Sequence, residues 1–142
     1  MKLLSNFALL PLLAAPALAQ DGSPYAIALA ATSNTAMAVT GDVVMDDFSV
    51  EFADGTVMEF SDLVGDTILV DGVEAFGSIY EMAAPEDPIL LNDNQLCGMG
   101  DVTYLAAYAA GDGMTEIAVF TTQDVPASTE DACAIYLYED VY

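Results

Sequence analysis

The chain has 142 residues and 23 carboxylates against a single basic residue, with no histidine, for a formal net charge of −22. The one base is Lys2, so from Leu3 onward no side chain supplies a cation or a nitrogen base. Ser-His-Asp, Cys-His and Ser-Lys catalysis, histidine-ligated zinc, the lysine of a phosphate loop and a basic nucleic-acid surface are thereby excluded together.

Residues 1–19 read as a cleaved signal peptide. Met1-Lys2 makes a short positive start, Leu3 to Leu13 a compact apolar run, and Ala17-Leu18-Ala19 a small-x-small end, which puts cleavage between Ala19 and Gln20. A spanning helix needs about 20 apolar residues, and Pro11 and Pro16 interrupt this run. From Asp42 onward Asp and Glu recur at short intervals. Residues 20–142 are therefore expected to form a single acidic β-domain, exported to the periplasm or the exterior and making no contact with membrane or nucleic acid.

Tyr25 to Ala31 is alanine-rich, yet Tyr25, Ile27 and Leu29 alternate, and the stretch leans towards strand over helix. Thr35 to Val44, with Met37 and Val39 on one face, predicts a strand. Phe48, Val50 and Phe52 share the face of another, Ala53-Asp54-Gly55-Thr56 turns the chain, and Thr56 to Phe60 returns it. Thr67 to Val70 and the run Val73 to Met82 flank a second turn at Asp71-Gly72, with Gly77 free to bend or bulge. Ala84 to Pro88 carries two prolines and is expected to be an exposed connection that ends the strand.

Beyond that connection come Ile89-Leu90-Leu91, a polar loop from Asn92 to Gln95, and Leu96-Cys97-Gly98. Val102 to Ala110 sets Tyr104 and Tyr108 opposite Leu105, Gly111-Asp112-Gly113 turns into Thr115 to Thr122, and Pro126 marks a loop. In the last strand, Ala132 to Tyr138, the side bearing Cys133, Ile135 and Leu137 is expected to face the core, with Ala134, Tyr136 and Tyr138 opposite. Seven or eight short strands joined by tight turns predict an all-β fold, a small antiparallel sandwich or barrel, with no internal repeat. Cys97 and Cys133, 36 residues apart, are expected to close a disulfide. Chain entropy makes such a loop closure worth about 3–4 kcal/mol.

The remaining chemistry is that of carboxylates. A glycosidase needs two acids with separated pKa values, and so acidic a chain offers too many pairs to single one out. Aspartic proteases use Asp-Thr-Gly or Asp-Ser-Gly, which neither Asp54-Gly55-Thr56 nor Asp66-Thr67-Ile68 reproduces. No catalytic residue is assigned and no enzyme activity is expected. Asn92, Asp93, Asn94 and Asp101 are weak candidates for a calcium or other loosely held cation, although Asn and Asp also suit turns for their backbone tolerance. Tyr104, Tyr108, Tyr136 and Tyr138 either form an aromatic contact face or, as the preferred reading, pack in the core.

The first expectation is thus a non-catalytic exported binding or structural module. The second is an inhibitor or sequestering protein for a basic protein or peptide, which the negative field would attract. In size, charge and export, though in no motif, the chain resembles periplasmic lysozyme inhibitors, and that resemblance implies a cationic partner of the lysozyme kind. The third is a calcium-dependent module.

Overall fold

Both residues of the turn Asp71-Gly72 have positive φ, 52° and 80°, and Asp112-Gly113 repeats the pattern at 47° and 76°. Such pairs match the twist of antiparallel strands, so each folds its neighbours into a hairpin. The computed structural model describes residues 26–141. In chain order the strands are β1 (Ile27–Ala31), β2 (Val43–Met45), β3 (Ser49–Glu51), β4 (Val57–Val70), β5 (Val73–Glu86), β6 (Val102–Gly111), β7 (Met114–Phe120) and β8 (Ala134–Val141). Each pairs antiparallel with the next, and β1 closes on β8 from Ala28–Val141 to Ala31–Tyr138, giving a closed eight-stranded barrel. The expected signal peptide, its expected cleavage point at Ala19–Gln20 and Tyr25 lie outside the described residues.

Eight strands leave an interior that side chains can fill. Leu29, Val43, Met45, Val50, Met58, Tyr80, Leu105, Ile117, Val119, Tyr136 and Tyr138 fill it here. A second, smaller core lies on the outer face of the wall. Ile79, Tyr104, Ala106, Tyr108, Ala118 and Phe120 pack there with Ile68 of β4. The β4–β5 hairpin reaches this face because it is 14 residues long on each side and its register shifts three times between Phe60 and Thr67. One shift, between the pairs Gly65–Ile79 and Thr67–Phe76, falls beside Gly77. At Gly77 any Cβ would run into the carbonyl of Ala107 and the Cβ of Tyr108, so only glycine lets β5 and β6 approach this closely.

Thr35 to Val44 is not one strand, since only its Val43 and Val44 belong to β2. Asn34–Val39 forms α1, capped by Ser33, whose Oγ accepts the N–H of Ala36 at 3.1 Å. Gly41 ends the helix at φ 63°, donating its N–H to the Ala36 carbonyl at 2.7 Å. A Cβ on Gly41 would lie 2.5 Å from that of Ala53. The alternating Met37 and Val39 suggested strand, but one helical turn buries only Ala36.

Three further expectations are corrected. Phe48 does not share an inward face with Val50 and Phe52. Asp46 Oδ1 accepts the N–H groups of Phe48 at 2.7 Å and Ser49 at 3.0 Å, and this turn swings Phe48 outward, 70% exposed. β5 does not stop before Ala84 but runs through Pro85 and ends at Glu86, inside the stretch Ala84 to Pro88. Pro85 is tolerated because the β5–β6 ladder lapses between Glu81 and Glu86, where no N–H is required. In β8 it is Tyr136 and Tyr138 that face the core, while Ile135 is exposed. Cys133 precedes the strand, so strand parity does not govern it.

The Cys97–Cys133 disulfide is formed, with Cα atoms 5.5 Å apart. It indicates an oxidising, exported environment. Among the described residues no helix is long and apolar enough to cross a membrane.

Candidate functional site: the open mouth of the barrel

The two ends of the barrel differ. One end is stoppered by α1 and by the connection from β5 to β6. Ala36, Leu90 and Leu96 enter the main core there. Thr40 Oγ1 and Tyr138 Oη share a 2.6 Å hydrogen bond, and Tyr136 Oη donates to the Leu96 carbonyl. Asp87 holds the connection by accepting the N–H groups of Cys97 and Gly98, each at 2.8 Å. The disulfide then ties Cys97 to the start of β8.

The loop from Asn92 to Gln95, a candidate for calcium by its residue types, belongs to this stopper. Asn92 and Asp93 take left-handed backbone angles, φ 57° and 61°. The side-chain amides of Asn92 and Asn94 donate to the Ala38 carbonyl at 2.9 and 3.1 Å, so they clamp α1. Asp101 lies beyond the clamp, exposed, next to the start of β6. Among the described residues no three acidic or cysteine side chains are grouped to share a metal ion.

Among the described residues the opposite end is open. A cavity of about 290 Å³ is bounded there by the start of β1, the end of β2 and the β2–β3 turn, together with β5, β6 and β7. Its lining includes Met45, Asp46, Asp47, Tyr80, Ala107 and Thr115. Tyr80 is held from both ends: its ring stacks on Phe60, centroids 4.2 Å apart and 9° from parallel, and its hydroxyl donates to Asp47 Oδ1 at 2.8 Å. Burial, and then the bond to Asp47, push the Tyr80 hydroxyl up to about 12, so it stays a proton donor. Asp46 uses Oδ1 for its own turn. Thr115 Oγ1 bonds Asp140 Oδ1 at 2.6 Å, adding a third carboxylate behind the lining.

Large apolar side chains stand exposed around this opening. Ile27, itself part of the lining, is 47% exposed. Phe48 follows Asp47, and Phe76, 78% exposed, precedes Gly77 on the β5 face that continues into Ser78 and Tyr80. The opening therefore has an aromatic and aliphatic floor, carboxylates on the side of the β2–β3 turn, and an apolar rim.

The four tyrosines singled out in the sequence do not make an exposed face. Tyr136 and Tyr138 point into the barrel, and Tyr104 and Tyr108 pack on its outer wall, all 6% exposed or less. Only Tyr108 touches the opening. Sequence reasoning missed Asp46, Asp47 and Tyr80 as a group. Asp46-Asp47 followed by an aromatic residue is visible as a string, but its pairing with Tyr80, 33 residues on, depends on barrel closure. No family model matches this chain, and no curated protein or solved structure matches it either.

Proposed function

We propose that this is a non-catalytic binding module, exported to the periplasm or the cell exterior, that takes its ligand in the open mouth of the barrel. The carrying observation is the cavity of about 290 Å³ at one end of a barrel whose other end is stoppered and whose interior is filled. Small barrels hold ligands in this position, at the mouth. The disulfide supports an oxidising compartment. A non-catalytic role is supported by the lack of any nitrogen base after Lys2 and by a Tyr80 hydroxyl held protonated at ordinary pH.

The test compares the protein with Ala109→Trp, which changes an exposed residue of the lining and places a large ring in the opening. Backbone amide spectra are recorded with n-pentanol and with n-pentylammonium as small probes. Shifts at Ser78, Tyr80, Ala107 and Thr115 that vanish in the variant, with its melting temperature retained, are expected. Shifts centred elsewhere, or unaffected by the tryptophan, overturn the reading.

A further inference from the structure

We infer that the mouth receives a lysine side chain presented by a basic partner protein; this rests on the mouth being the binding site. Four observations converge on that occupant. A volume of about 290 Å³ lies at the bottom of the range for small-molecule pockets, which run from about 300 to 1,000 Å³, so it suits one long side chain better than a lipid or a dinucleotide. The Met45 and Tyr80 floor, with Ala107 beside it, offers an apolar sleeve for a four-carbon stem. Asp46 and Asp47 lie at one side of that sleeve, and among the described residues neither Asp46 Oδ2 nor Asp47 Oδ2 receives a hydrogen bond. Finally, Ile27 in the lining, Phe48 next to Asp47 and Phe76 next to Gly77 leave exposed apolar surface that a free amine would leave in water and a protein partner would cover.

Charge selects the same partner. No side-chain cation exists after Lys2 to neutralise these carboxylates, so an ammonium group from outside meets no competing basic side chain among the described residues. The long-range negative field speeds the encounter, and the mouth converts it into a fixed geometry, with the ammonium beside Asp47 and the stem over the Tyr80 ring. A second copy of this chain is disfavoured as occupant by the same charge.

Two peptides that differ only in the ammonium group test the inference. One is acetyl-Leu-Lys-Leu-amide, and the other replaces lysine with norleucine, which keeps the stem and lacks the charge. Titrations in 0.15 M NaCl follow the amides of residues 46–48, 76–80 and 107–109, with n-pentylammonium as a third arm. The lysine peptide is expected to shift these amides with one-to-one saturation, at least tenfold more tightly than the norleucine peptide, and to move Phe48 and Phe76, which n-pentylammonium leaves in place. Asp47→Asn, which keeps an acceptor for Tyr80 and removes the charge, is expected to abolish the preference while retaining the melting temperature.

Equal binding of the two peptides at the mouth overturns the lysine assignment and leaves the mouth as a site. Tight binding of n-pentylammonium equal to that of the lysine peptide overturns the protein source in favour of a free amine. Shifts spread over the acidic surface without saturation overturn the assignment as ion screening. Loss of all binding at the mouth, including that of n-pentanol, identifies failure of the underlying reading.

Discussion

Among the described residues the buried hydroxyl of Tyr108 has no hydrogen-bond partner, on a residue only 2% exposed. Burial, and then the neighbouring carboxylate of Glu116, hold it well above the usual tyrosine value. An unpaired buried hydroxyl costs about 1–3 kcal/mol. Tyr108→Phe is therefore expected to stabilise the protein by about 1 kcal/mol in denaturant unfolding, and a loss of stability would show that Glu116 or a water satisfies the group. Tyr80 and Tyr136 give a pH signature. Burial leads in both cases, and both hydroxyls are pushed up to about 12. Because the unfolded chain releases these protons near pH 10 while the fold retains them, their contribution is constant below pH 10 and is lost between about pH 10 and 12. Thermal melts from pH 8 to 12, with tyrosinate absorbance recorded alongside, are expected to stay level to about pH 10 and then fall. A decline beginning near neutrality would have another origin.

At the scale of elements, the stopper is the part that the disulfide secures. Replacing Cys97 and Cys133 by alanine is expected to cost about 3–4 kcal/mol in denaturant unfolding, with amide exchange rising first across residues 87–101. An unchanged midpoint would mean that the Asp87 and Tyr136 bonds hold the connection unaided. This element was half legible in sequence. The cysteine pairing followed from export and count, whereas the role of Asn92 and Asn94 did not, since their target, Ala38, is more than 50 residues away. The Asp-Gly turns and the strands they join were readable because their signals are local. The helix α1 was misread although Ser33 and Gly41 bracket it as cap and terminator. Its six residues are too few for helical periodicity to outweigh the alternation of Met37 and Val39. The site was the least legible part: burial removed the tyrosines that looked like a surface, and a turn of three residues placed Phe48 where strand parity did not.

For the whole molecule, 22 of the 23 carboxylates lie in residues 26–141, where no side chain carries a cation, and they repel one another across the barrel. Between 0.01 and 1 M ionic strength the screening length falls from about 30 to about 3 Å. The melting temperature is expected to rise over that interval, by about 4 °C for each kcal/mol of repulsion relieved in a domain of this size. A flat response would mean that the unfolded chain feels the same repulsion as the fold.

Closure of β1 on β8 has a consequence for handling the protein. Ile27 lines the mouth, and Val141 pairs with Ala28 beside it, so the described chain both enters and leaves the barrel at its open end. A bulky group attached beside Ile27 or Val141 would therefore sit over the mouth. The Asn92–Gln95 corner, at the far pole, is the better tether: a single attachment there would orient every molecule on a surface with its opening facing the solution.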